Sequence, residues 1–189
     1  MPGAGRGWVA GMTRTLYLFG SAAPPVHDAH RVIEEAQAAG WDVCLGLTPT
    51  AARWLADSLD GLTVLTGHPV RWDYKLPGEP DVWPPADVIA FAPATFNTVN
   101  AWALGLTDRF VVGVVAEGIG KGIPIVAMPC VNAAYVQHPA FERSVETLRS
   151  AGVQVLYGEG GFVPNAPGSG KPADYPWHLV LAAAEAALD

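Results

Sequence analysis

"ADVIAFAPATFNTVN", residues 86–100, is the stretch on which the fold of this 189-residue chain turns. After Asp87 comes an unbroken apolar run, Val88 to Ala92, with the length and composition of a strand buried on both faces. Pro93 closes the run, and Thr95, Asn97 and Thr98 then set hydroxyl and amide groups where a helix begins. Three polar side chains so close together exceed what one helix cap requires. The turn is therefore a candidate ligand site as well as a structural one.

Working outward, the same alternation repeats. "TLYLFG" (15–20) reads as a strand, and Val26, Ala29, Ile33 and Ala36 keep helical spacing up to a stop at Gly40. "DVCLGLT" (42–48) is a second strand, "PTAARWLADSL" opens a helix with Pro in its first turn, and "TVLTG" (63–67) reads as a short third strand. A polar loop without period covers residues 68–86. Beyond the opening stretch, the helical region breaks near Gly105. "GIPIVAMP" (122–129) is a strand, "HPAFERSVETLRSAG" a helix, and "VQVLYG" (153–158) the last strand. A Gly- and Pro-rich segment, 159–176, precedes the closing helix "WHLVLAAAEAALD". Apolar strands separated by helices predict an α/β fold: a Rossmann- or flavodoxin-like doubly wound parallel sheet in three α/β/α layers. A single domain is expected over residues 14–189, behind a loose N-terminal extension, residues 1–13.

Composition narrows the function classes. Half the residues are hydrophobic and 15% are charged, which suits a packed globular protein. A net charge of −7 without a basic run argues against nucleic-acid binding. Cys44 and Cys130 sit in apolar runs with no CxxC spacing, as expected of reduced, buried thiols. The N-terminal residues lack the apolar core of a signal peptide, and no run reaches spanning length. A cytoplasmic protein without a membrane partner is the expectation.

In doubly wound folds ligands bind beyond the carboxyl ends of the strands. Four turns follow strands here. Gly20, Ser21 and Ala22 are small enough for backbone to approach an anion at a helix start, though they do not form GxGxxG. Thr48 and Thr50 offer hydroxyls ahead of the next helix, for plain capping or for a ligand. The turn at 93–98 is the third. In the fourth, Asn132 is an isolated amide suited to a carboxylate or amide partner, while His138, just before Pro139, is more plainly structural. Two patterns carry no site. Lys171 is followed by Pro172 and lacks the glycine spacing of a phosphate loop, and His27 with His30 lacks a third metal ligand.

Together these turns resemble the homo-oligomeric flavin-containing cysteine decarboxylase family. That family includes phosphopantothenoylcysteine decarboxylase and the enzymes that oxidatively decarboxylate C-terminal cysteines of lanthipeptide precursors. The resemblance runs over residues 14–160. "FGSAA" is similar to its Gly-Ser-x-Ala turn, "LTPTAARWL" to its Thr-x-Ser-Ala segment and "LTGHPV" to its Ser-Gly-x-Pro-Val stretch. "APATFNTVNAWALGLTD" resembles the PASANT motif with its following Gly-x-x-Asp, and "MPCVNAAYVQHP" resembles PxMNxxMW.

The resemblance implies FMN as cofactor. Gly20, Ser21, Thr48, Thr50, Thr95 and Thr98 would hold its phosphate and ribityl chain, beside Ala22, with Ala94 and Asn97 near the ring. It implies a homo-oligomer, a trimer or a dodecamer of trimers, with the flavin at a subunit contact. Trp72, Trp83 and Trp102 suit such a contact or the core equally. The chain also departs from the pattern. Family decarboxylases carry a catalytic His shortly before the Ala-Asp that opens the PASANT strand, and Glu79 stands there instead. Val131 and Tyr135-Val136 alter the second motif, although Asn132 remains.

Two expectations follow from the resemblance. One is an FMN-binding, redox-active flavoprotein in which the usual decarboxylase base is missing. The other is an FMN-dependent oxidative decarboxylase of a small-molecule or peptide substrate ending in a cysteine-like group. There Asn132 would hold the carboxylate, Glu79 or His68 would replace the base, and loop 158–176 would close as a lid. A flavin prenyltransferase shares the fold, but its basic and Ser-Met-Lys-Thr features are absent where "TFNT" stands.

Overall fold

The run after Asp87 becomes strand β3 (Val88–Ala94), and all seven of its residues are buried. Burial on both faces requires β3 to lie inside a sheet with helices above and below. The computed structural model of the chain, which describes residues 13–189, has that arrangement. β3 pairs in parallel with β1 (Arg14–Gly20) on one side and β4 (Ile125–Pro129) on the other. β2 (Trp41–Leu47) pairs with β1, and a two-residue β5 (Gln154–Val155) pairs with β4. The order β2-β1-β3-β4-β5 changes direction at β1. Right-handed crossovers on either side of that switch place helices on opposite faces. This is the expected flavodoxin-like, doubly wound α/β fold.

The helices are α1 (Ala29–Ala38), α2 (Pro49–Trp54), α3 (Leu59–Thr66), α4 (Phe96–Ala103), α5 (Phe110–Lys121), α6 (Ala133–Val136), α7 (Pro139–Ser150) and α8 (Trp177–Ala186). A tight 3-10 turn, Pro24–Asp28, leads into α1, because its two prolines suit a helix start but not an interior. Against one face of the sheet, the rings of Trp102, Phe91, Phe19 and Phe110 pack in that order, Phe91 meeting Phe19 edge-on. Their ring centroids lie 5.8 Å apart for Phe19–Phe91, 6.1 Å for Phe91–Trp102 and 6.5 Å for Phe19–Phe110. Gly46 is needed beneath this stack, since a Cβ there would fall 2.5 Å from the Phe19 ring.

Several expectations need correction. "TVLTG" is no strand: residues 63–66 end α3, and Gly67 closes the helix with φ of 71°. Its β-branched residues suggested a strand, but Leu62 is already buried on the helix and Thr66 Oγ1 donates to the Leu62 carbonyl one turn back. β4 starts at Ile125 rather than 122, because Gly122, at φ 69°, still terminates α5. β5 keeps two residues of the six expected.

Trp83 and Trp102 are core residues, 8% and 3% exposed, whereas Trp72 is 36% exposed. The loop at 68–86 has no regular element, yet it is tied down. Leu47 N–H donates to Arg71 O at 2.8 Å and Arg71 N–H to Leu45 O at 3.1 Å, along the outer edge of β2. Trp83 Nε1 donates to Pro69 O at 2.9 Å, and the Tyr17 hydroxyl to Pro84 O at 2.6 Å. The expected extension at residues 1–13 lies outside the described residues except for Thr13. Among the described residues no helix is long and apolar enough to cross a membrane. No group of three or more His, Cys, Asp or Glu among them could hold a metal ion.

Candidate functional site

At the carboxyl end of the sheet, backbone bonds join the ends of neighbouring strands. Thr48 N–H donates to Gly20 O (2.9 Å), Ser21 N–H to Pro93 O (2.8 Å) and Cys130 N–H to Ala94 O (2.9 Å). Hydroxyls continue this seam. Ser21 Oγ donates to Thr98 Oγ1 at 2.9 Å and Thr95 Oγ1 donates to the same atom at 3.1 Å. Thr95 also caps α4, its oxygen accepting from Thr98 N–H at 3.4 Å. Ser21 and Thr98 are 1% and 0% exposed, so each depends on the other for satisfaction. Thr48 is buried as well and caps α2 through Ala51 N–H.

Above this floor opens a cleft of about 700 Å³. Ala22 and Pro24 line one side, Thr95, Phe96 and Asn97 the base, and Asn132 and Tyr135 another wall. Asn132 caps α6, its Oδ1 accepting from Ala134 N–H (3.0 Å) and Tyr135 N–H (3.1 Å). Only its amide hydrogens remain for a ligand, and these suit an acceptor such as a carboxylate. Phe96 and Tyr135 stack at 4.7 Å beside it.

The far side of the cleft is the Gly- and Pro-rich segment, from Gly161 to Pro176. Ala133 N–H donates to Asn165 O (2.8 Å) and the Tyr175 hydroxyl to Met128 O (2.7 Å), which fix both of its ends against β4 and α6. Burial pushes the Cys130 thiol in this wall up to about 11, so it stays protonated at neutral pH. Full burial also raises Tyr175 well above the usual phenol range. Among the described residues, Lys171 and Asp174 are the charged members of the lining, and no histidine belongs to it.

The structure thus brings some expected residues together and separates others. Ala22, Thr95, Asn97 and Asn132 line the cleft. Gly20, Ser21, Ala94 and Thr98 form the buried floor beneath them. Thr48 adjoins Gly20 without lining the cleft, and Thr50 is exposed on α2, accepting from Arg53 at 3.0 Å.

Neither candidate base is in place within the chain. Glu79 is exposed, and its carboxylate accepts from Leu76 N–H three residues back, closing a local turn. His68 Nε2 meets Asp42 Oδ1 at 2.8 Å. Asp42 is the second residue of β2, roughly 16 Å from the carboxyl end at about 3.3 Å per residue. His68 therefore belongs to the opposite rim of the sheet. A larger hollow of about 900 Å³ between α5 and the loop at 68–86 contains none of the expected site residues.

Sequence reasoning missed two features. Phe96 and Tyr135 form an aromatic wall, signalled only by their bulk within otherwise small motifs. Arg109, just before α5, reaches Asn97: its two terminal guanidinium nitrogens lie 2.6 Å and 3.0 Å from one end of the side-chain amide, which is assigned as the oxygen because a guanidinium only donates. Nothing in the spacing of residues 97 and 109 announces that contact.

Comparison with known proteins agrees with the fold. A cysteine/cysteine sulfinic acid decarboxylase from an unknown prokaryotic organism is 27% identical over 90 residues, 47% of this chain. The bifunctional coenzyme A biosynthesis protein CoaBC of Thermococcus kodakarensis is 31% identical over 71 residues, 38% of this chain. These matches span 24% and 17% of the two relatives, so the chain covers at most about a quarter of either. The crystal structure of the FMN-dependent cysteine decarboxylase TvaF from thioviridamide biosynthesis superposes with a TM-score of 0.71. It is 22% identical, with 94% of this chain and 99% of that one covered. The model of the Flavoprotein family matches residues 16–182, nearly the whole described fold. The chain belongs to the Flavoprotein family.

Proposed function

We propose that this chain is an FMN-binding, redox-active flavoprotein of the cysteine decarboxylase type that does not carry the usual decarboxylase base. The observation behind this reading is the composition of the cleft. Ala22, Thr95, Asn97 and Asn132 converge on it, while Glu79 and His68 lie elsewhere. Its volume of about 700 Å³ suits a drug-sized ligand, for which sites span roughly 300–1,000 Å³. The residues present fit a flavin. Small Gly20 and Ala22 leave room for a phosphate near the end of β1, while Pro24 and Pro25 supply no N–H to it. The half-buried Thr95 hydroxyl and the Asn97 amide supply polar contacts for the rest. When bound, FMN supplies a two-electron acceptor. The chain's own part is to hold that group, to exclude water with the segment 161–176, and to offer the amide hydrogens of Asn132 to a substrate carboxylate.

A second reading rests on Asn132 itself. Its oxygen is committed to the α6 cap, so it presents donors alone, as a carboxylate-bearing substrate would need. That favours oxidative decarboxylation of a cysteine-like group, free or at the C-terminus of a peptide. The proton would then have to move through a group other than Glu79 or His68 of the same chain. We further infer a cytoplasmic homo-oligomer, a trimer or a dodecamer of trimers. The exposed Trp72, Tyr74, Leu76 and Val82 on the loop at 68–86 support a subunit contact there.

The test is direct. The purified protein should be yellow and release FMN on denaturation. It is then incubated with peptides ending in cysteine, followed by mass. Loss of carbon dioxide plus two hydrogens establishes the second reading; a yellow protein that leaves every peptide intact establishes the first alone. A colourless protein that takes up no FMN defeats both. Light scattering on the same sample gives the assembly.

A further inference from the structure

Asn97 stands in the first turn of α4 and lines the cleft, and Arg109 opens α5 after an intervening helix and loop. The fold returns the guanidinium to Asn97, with nitrogens 2.6 Å and 3.0 Å from one end of its side-chain amide. Guanidinium nitrogens only donate, so the amide can meet them only through its oxygen. Its Nδ2 hydrogens are then the part left for a ligand in the cleft. Arg109 does not line the cleft itself, and among the described residues no carboxylate lies within ion-pair distance of it. A full positive charge is thus committed to a neutral, exposed amide, which is an unusual use of an arginine unless the direction of that amide matters.

We propose that Arg109 is a positioning residue: it locks the Asn97 amide with its hydrogens toward the cleft and polarises them, so that a flavin bound there meets a fixed donor. The inference rests on the flavin reading above. An amide on an exposed helix turn can otherwise present either end, and its oxygen would repel an electron-rich group. Accepting two charge-assisted bonds at Oδ1 draws density from the amide and makes Nδ2 a stronger donor. A fixed donor stabilises a partner more as that partner gains negative charge. Arg109 therefore favours the reduced over the oxidised flavin, acting through Asn97.

The test uses the 189-residue protein loaded with FMN. Oxidised-state affinity and midpoint potential are measured for wild type, Arg109→Gln, Arg109→Lys, Asn97→Ala and Asn97→Ala/Arg109→Gln. Glutamine can present either a donor or an acceptor, so Arg109→Gln should release the amide and lower the reduced-to-oxidised affinity ratio about tenfold, close to 30 mV for a two-electron couple. Lysine has donors only, so Arg109→Lys should recover most of the loss. In the Asn97→Ala background the Arg109→Gln shift should vanish, as a double-mutant cycle requires of a residue acting through another. Nitrogen NMR of the ligand-free protein should show the Asn97 side-chain amide displaced in Arg109→Gln.

A full shift that persists without Asn97 overturns the proposal, because Arg109 would then act on the flavin directly. So does an unchanged potential in a folded, FMN-loaded Arg109→Gln variant. Failure of wild type to load FMN appears at the first step and defeats the flavin reading, and this inference with it; loading with no potential shift defeats this inference alone.

Discussion

The turn after β3, residues 93–98, and the loop before it, residues 68–86, are separated by one strand and built in opposite ways. In the turn, Ser21, Thr95 and Thr98 share one set of hydrogen bonds, and two of the three are fully enclosed. In the loop, polar side chains satisfy themselves locally, as Glu79 does with Leu76 N–H and Lys75 does with Asp81 at 2.6 Å. The turn holds its shape because each member completes another across the ends of β1 and β3. The loop is held by backbone contacts and two anchors, Tyr17 and Trp83, while most of its side chains face solvent. The contrast supports the proposal that the first region holds the ligand. It leaves the second with no group directed at the cleft.

Breaking the turn should have the largest effect. Thr98→Val removes the oxygen that receives both Ser21 and Thr95, leaving the buried Ser21 hydroxyl hydrogen without its acceptor at a cost of about 1–3 kcal/mol. Urea unfolding should show that loss, and Asn97→Ala combined with Thr98→Ala should abolish FMN retention. If the double variant keeps its flavin, the turn is not the holding site.

Next comes the alkaline limb. Burial pushes Cys44 and Tyr17 up to about 12 and Cys130 up to about 11. The folded state then keeps protons that the unfolded state has released, so stability falls as pH rises. Present in full below about pH 9, it should decline between about pH 9 and 12 in melting experiments. Cys44→Ala should flatten that decline.

On the loop side, Tyr17→Phe deletes the anchor to Pro84 and should cost about 1 kcal/mol, with FMN retention unchanged. His68→Ala breaks the contact with Asp42 and should cost at most about 1 kcal/mol. Glu79→Gln should be smaller still, within about 0.5 kcal/mol, because its carboxylate is exposed. Loss of flavin on changing Glu79 or His68 would dissolve the contrast between the two regions.

The same contrast explains what the sequence could reveal. β1, β2 and β3 are long and apolar, and their periodicity gave the parallel sheet and the turns beyond it. Thr95, Asn97, Thr98 and Asn132 were legible because each lies in the turn or first helical turn after a strand. The segment at 63–67 misled because β-branched residues tolerate both states, and the burial of Leu62 with the Thr66 hydroxyl bonded one turn back favours the helix. β5 was overestimated since two residues of pairing suffice at the edge. His68 looked close to the site along the chain but sits at the other rim, a separation that sequence distance cannot express. Arg109 was invisible for the converse reason: a helix and a loop intervene before the chain returns to Asn97.

The paired Arg71 backbone has a bearing on solution behaviour. A parallel sheet ends in two rows of unpaired amides and carbonyls that could recruit another chain. At β2 that row is met by Arg71, whose N–H and C=O engage Leu45 and Leu47. At the opposite border, β5 is only two residues long. Both borders are thus poor templates for the addition of a further strand.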